Sequence, residues 1–138
     1  MNRRAERVYV RELLAKWGNW KVMYDRLRRE KTVAQQLVQR DDDSCAHDLL
    51  RDIKSEMDQL IKQRAAISAL VARLPAEEQQ VLIYRYEYEL NAVQIGLRLF
   101  YDERTVRRFE ACAVDRIAGW LADKSENQTS AGSKPVRR

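Results

Sequence analysis

From Asn2 to Leu74 the chain contains a single glycine, Gly18, and no proline. So long a stretch with one strong breaker folds into little besides helices. The apolar residues agree. Over the first forty positions Val10, Leu13, Trp17, Trp20, Tyr24, Leu27, Ala34 and Val38 recur at three- and four-residue steps, interrupted by Lys31. That is the helical period, and both tryptophans fall on the packing seam. Gly18 marks a place to kink or break, because a mid-helix glycine costs up to about 1 kcal/mol. Asp41-Asp42-Asp43-Ser44 ends the segment, since adjacent like charges resist a helix, and Asp43 or Ser44 can cap the next one. There Leu50, Ile53, Met57, Leu60, Ile67, Val71 and Leu74 hold a 3.5-residue seam interrupted by Arg64 and widened by Leu49, Ile61 and Leu70. The pattern is coiled-coil-like. The expected structure is an antiparallel hairpin of residues 4–40 against 44–73, or three helices if the first breaks at Gly18. One hairpin buries little apolar area, so a homodimer or higher oligomer through this region is expected.

Charge is unevenly spread. Residues 1–40 hold 11 Lys/Arg and 4 Asp/Glu, residues 41–73 hold 5 and 7, residues 74–122 hold 6 and 8, and residues 123–138 hold 4 and 2. The basic excess is therefore N-terminal. No apolar run approaches the roughly 18 residues that a membrane span needs, and Met1-Asn2-Arg3-Arg4 has no apolar segment behind it, so no secretory signal is expected. Cys45 and Cys112 are isolated thiols, expected as small buried residues in a reducing cytoplasm. With His47 the single histidine, a zinc site is not expected. Three consecutive aspartates on one loop would point in different directions, so a metal site is not expected there either. No Gly-rich phosphate loop and no Ser/His/Asp or Cys/His set is present, so neither an enzyme nor a cofactor is expected.

Residues 74–122 read as three helices in close succession. Pro75 opens the first, with Glu77 and Glu78 in its positive first turn and Val81, Leu82 and Tyr84-Arg85-Tyr86 following. The acidic positions Glu77, Glu78, Glu87 and Glu89 are expected on a solvated face. Asn91 can cap a short second helix, whose inward residues are expected to be Val93, Ile95, Leu97 and Leu99. Phe100-Tyr101 makes a turn, and Asp102 can cap a third helix with Val106, Phe109, Ala113, Ile117 and Trp120 or Leu121 inward. A short helix, a tight turn and a longer helix form the helix-turn-helix plan, in which the longer helix presents its first turns to the major groove of double-stranded DNA. The candidate DNA-contacting residues are Glu103, Arg104, Thr105, Arg107 and Arg108, with Arg98 and Arg85 as phosphate ligands. Arginine can bond guanine O6 and N7 in parallel, and glutamate can accept from cytosine N4. The polar residues 123–138 lack periodicity and are expected to be disordered. The fold class is thus all-α: a basic hairpin over 1–73, a trihelical unit over 74–122 and a tail.

The stretch Leu74-Pro75-x-Glu77-x-x-x-Val81-Leu82-x-x-Arg85-Tyr86, followed by Ile95, Leu99 and Asp102-x-x-Thr105-Val106-Arg107, is similar to region 4 of bacterial sigma factors. That region reads the promoter −35 element. Phe100 stands where the family usually has Gly in the turn, and Asp102 where it has Ser. Nothing resembles the part of a sigma factor that melts the −10 element, so a complete sigma factor is not expected. The whole arrangement resembles the RinA and ArpU late-gene regulators of phages from Gram-positive hosts. Trp17-Gly18-x-Trp20 and the aspartate cluster also resemble one class of Q antitermination proteins of lambdoid phages. A small terminase subunit for DNA packaging is the alternative of another class, though its DNA-binding domain usually comes first. The resemblance implies a bacteriophage late gene activator in the cytoplasm of a bacterial host, with host RNA polymerase as partner. A reader of net charge −2 makes few phosphate contacts. Affinity is then expected from the N-terminal half, a second subunit or polymerase.

Overall fold

The computed structural model describes residues 2–41 and 44–133, with side chains described for residues 2–40 and 44–123. Six α-helices follow in order among them: α1 (Arg3–Gly18), α2 (Trp20–Asp41), α3 (Ser44–Ala72), α4 (Ala76–Leu82), α5 (Ala92–Leu99) and α6 (Glu103–Ser133). A π-helical turn, Ile83–Glu87, continues α4. The described residues contain no strand and no helix long and apolar enough to cross a membrane.

The first forty residues form two helices, and the break falls at Asn19. The reason for glycine beside the break is close packing. A Cβ on Gly18 would stand 2.2 Å from the Tyr86 carbonyl oxygen, so the end of α1 lies directly on the π-helical turn. The hairpin therefore consists of α2 and α3, with Leu27, Ala34, Ile53, Met57 and Leu60 as its core. Arg64, an interruption in the sequence pattern, sits with its guanidinium 4.6 Å from the Trp20 ring centroid and donates to the Trp17 carbonyl at 2.8 Å. Trp17 in turn donates from Nε1 to Ser68 Oγ at 2.9 Å. Leu49 and Ile61, expected to widen the seam, are exposed, as are Cys45 and Cys112, expected to be buried. A seam between two helices is narrow, and Cys45, Leu49 and Ile61 on α3 fall beside it, while Cys112 lies on the exposed side of α6.

α1 leaves the hairpin and packs on the C-terminal helices. Val10, Leu14 and Trp17 share one core with Ile67, Val71, Leu74, Leu82, Ala113, Val114 and Ile117. The boundary expected at 73/74 thus does not separate two cores. A smaller cluster of Val81, Ile95 and Val106 holds α4, α5 and α6 together.

The disordered tail expected over 123–138 is corrected as far as Ser133, where α6 ends. No proline stands between the start of α6 and Pro135, and extending a helix already nucleated by packing is far easier than starting one. Residues 134–138 lie outside the described residues. So do Asp42 and Asp43 and the Asp41 side chain, and with them the reading of the three aspartates. Among the described residues no group of His, Cys, Asp and Glu could hold a metal ion.

Candidate nucleic-acid interface

The geometry of the site begins with two caps. Asn91 Oδ1 accepts from the Gln94 amide at 2.9 Å, and the Gln94 side chain accepts from the Asn91 amide at 2.9 Å, a reciprocal box at the start of α5. Asp102 Oδ1 accepts from the Thr105 amide at 2.7 Å at the start of α6. The Thr105 hydroxyl and then that amide bond, with Arg104 and Arg108 nearby, hold the Asp102 carboxyl below its ordinary pKa. Between the caps Phe100 takes a left-handed conformation (φ 63°, ψ 40°), and the Tyr101 amide donates to the Gly96 carbonyl at 3.0 Å. Gly96 is required here. Its Cβ would lie 2.4 Å from the Tyr101 carbonyl oxygen, so the turn folds back against α5 itself.

α5 buries Ile95 and packs Ala92 and Leu99 beside it. Val93 and Leu97, expected inward, are exposed, Leu97 to 75%. The expected set 93-95-97-99 has a two-residue step, which belongs to a strand; a helix turns such positions to opposite sides. Val93, Leu97 and Phe100 instead form an outward apolar stripe. On α6, Val106, Ala113 and Ile117 are buried as expected, Phe109 is half-buried, and Val114 joins them.

The outer side of the first two turns of α6 carries Glu103, Arg104, Arg107 and Arg108, all exposed, with Thr105 half-buried. Arg107 donates from Nε to Glu103 Oε2 at 2.9 Å. An exposed i,i+4 pair of this kind is worth a few tenths of a kcal/mol. It orients Arg107 without preventing exchange for a base or a phosphate. Arg104 and Arg108 have no carboxylate within 4 Å among the described residues. Arg98 lies exposed with its guanidinium 5.9 Å from the Tyr84 ring centroid.

Arg85 faces a different task. Its Nη1 donates to the Leu90 carbonyl at 3.3 Å, and its Nε lies 3.7 Å from Glu110 Oε2. Glu110 also accepts from the Tyr86 hydroxyl at 2.8 Å and stands 3.9 Å from Arg11 Nε. Burial, then the Glu110 charge, pushes the Tyr86 phenol up. This cluster joins α1, the π-helical turn and α6. A second tie is the fork from Arg7 to Asp115, with Nε–Oδ1 at 2.8 Å and Nη2–Oδ2 at 3.2 Å. It lowers the Asp115 carboxyl and raises the Arg7 guanidinium. Glu78, expected on a solvated face, is 4% exposed, and its Oε1 lies 3.2 Å from Arg116 Nε. This buried oxygen has no hydrogen-bond partner among the described residues, so the contact is an ion pair and not a hydrogen bond. No sequence signal points to these ties, because their partners are far apart along the chain.

Two capped helices about a tight turn, with the second exposing arginines from its first turns, define a helix-turn-helix DNA-binding unit. Residues 70–118 match the family model described as Sigma-70, region 4, and a domain of that family occupies this part of the chain. The match begins in the last turn of α3 and runs into α6 as far as Ala118, so it contains every residue of the candidate interface. A DNA-binding, transcription-related role follows for this domain. No curated protein and no solved structure matches the chain.

Proposed function

We propose that this protein is a sequence-specific transcription regulator of a phage or prophage, an activator of late genes that acts with host RNA polymerase in the bacterial cytoplasm. The observation that carries the reading is the first two turns of α6, where Arg104, Arg107 and Arg108 project from a region-4-like helix-turn-helix. It is a reading of a binding protein, not an enzyme. Arg104 and Arg107 choose bases, while Arg98 and the N–H groups of the first turn of α5 meet phosphate. Self-association in the hairpin completes the reading, supported by the exposed Leu49 and Ile61.

The test is footprinting on a phage or prophage genome, with and without RNA polymerase. A discrete protected site is expected, strengthened by polymerase. Arg104→Ala and Arg107→Ala are each expected to cost about 1–3 kcal/mol at that site and to relax its sequence preference. Unchanged affinity and preference in both variants would remove this end of α6 from base reading.

A further inference from the structure

The reading helix belongs to a segment of net negative charge, while α2 carries a surplus of cations on its solvent side. α2 buries Leu27 and Ala34 against α3. On the opposite side Lys21, Arg28, Thr32, Gln35 and Gln39 follow at three- to seven-residue steps, with Arg29, Gln36 and Arg40 alongside, and all eight are exposed. Asp25, half-buried, is the one carboxylate among them, and it lines a shallow recess with Arg28, Arg29 and Thr32. Solvated helix faces commonly balance charge through i,i+4 pairs. α2 does so in Arg26–Glu30, at 3.8 Å on its flank. Lys21, Arg28, Arg29 and Arg40 have no carboxylate within 4 Å among the described residues. α3, the other arm of the hairpin, carries four Lys/Arg and four Asp/Glu. α1 is basic too, with five Lys/Arg and two Asp/Glu, but it turns Arg7 to Asp115 and Arg11 to Glu110 on α6. On α2 the cations gather on one solvent face without such partners among the described residues.

We propose that this face of α2 binds the phosphate backbone of duplex DNA beside the site that α6 reads. The proposal rests on the reading of α6 as the DNA-contacting helix. The chemistry fits. Arginine and lysine neutralise phosphates, and Thr and Gln side chains are common phosphate donors. From Lys21 to Arg40 the helix advances about 28 Å at 1.5 Å per residue, somewhat less than one turn of a duplex. The connection to the reader is stiff. α1 is fixed to α6 through their shared core and through Arg7–Asp115, Gly18 touches Tyr86, and α2 begins at Trp20 after the single residue Asn19. Wherever α6 docks, α2 is carried to a set place. A membrane-surface helix would need a broad free apolar side. α2 buries Leu27 and Ala34 against α3 and exposes only Val22 and Val33 as large apolar residues, too few for such a side.

The experiment titrates full-length protein against a random-sequence duplex and against a duplex carrying the footprinted site, over a range of salt. For the triple variant Arg28→Gln, Arg29→Gln, Arg40→Gln the slope of log K on log salt is expected to fall by about 0.9 per lost contact, about 2.7 in all. Affinity for both duplexes falls alike, and sequence preference is kept. Gln35→Lys with Gln39→Lys is expected to move the slope the other way by about 1.8, which keeps the test decisive if the triple variant folds poorly. An unchanged slope in both overturns the proposal. So does a triple variant that leaves duplex binding intact while losing binding to vesicles of phosphatidylglycerol and phosphatidylcholine. If Arg104→Ala and Arg107→Ala abolish sequence preference while the α2 variants change nothing, the α2 proposal fails alone. If none of the variants alters duplex binding, the reading of α6 fails with it.

Discussion

Phe100 is the residue at which the helix-turn-helix departs furthest from what a backbone prefers. It holds φ 63° and is 93% exposed, so its ring gains almost nothing inside the chain. A left-handed residue with a Cβ costs on the order of 1 kcal/mol against glycine. Phe100→Gly should therefore stabilise the fold by about 1 kcal/mol and raise the thermal midpoint by roughly 3 °C. A lower midpoint would mean that the ring makes contacts worth more than the strain. Binding measured on the same variant separates stability from function: if the ring touches a partner, affinity falls while the midpoint rises. Arg107 illustrates the opposite economy. Its pairing with Glu103 is weak and local, and so it restrains the side chain without committing it.

At the scale of elements, local chemistry was readable and long-range chemistry was not. Asn91 and Asp102 cap the helices that the sequence assigned to them, and Gln94 completes a box at one of them. The inward set of α5 was misread because four apolar residues in a two-residue rhythm look like a buried strip, whereas a helix can bury only part of them. Arg64, Glu78 and the Tyr86–Glu110 cluster were invisible, since each depends on a partner more than twenty residues away. The π-helical turn was equally hidden. It places the Tyr86 backbone against Gly18, so the glycine that read as a breaker is a contact point. This makes a prediction with competing signs. Alanine favours a helix by about 1 kcal/mol over glycine. A Cβ 2.2 Å from the Tyr86 carbonyl oxygen instead forces α1 away from the turn, and overpacking of this kind costs about 1–3 kcal/mol. Gly18→Ala should thus lower the thermal midpoint in spite of its propensity. A gain in stability would show that α1 is free to shift.

For the whole molecule, the question is what keeps the N-terminal helices in register with the reader. Apolar packing of Val10, Leu14 and Trp17 supplies the area, and the Arg7–Asp115 fork supplies the orientation. The fork is charge-dependent and therefore pH-dependent. In the folded chain the Asp115 carboxyl lies below its ordinary value of 3.8, held there first by the hydrogen bond from Arg7. A carboxyl whose folded pKa is depressed adds stability above its unfolded pKa. It gives that stability up as pH falls through the folded value. Asp102, lowered first by the Thr105 side chain and then by the Thr105 amide, acts in the same direction at the start of α6. The full protein should accordingly hold its thermal midpoint from about pH 7 to about pH 5 and lose it below about pH 4. Asp115→Asn should have a lower midpoint at neutral pH, and its deficit should shrink as the acid limb is descended, because protonation removes from the parent what the substitution has already removed. A deficit that stays constant into the acid limb would assign the loss to packing instead of to the ion pair. The hairpin core of α2 and α3 contains none of these groups, so helix content should survive acidification better than the docking of α1 on α6, and circular dichroism read beside tryptophan fluorescence distinguishes the two.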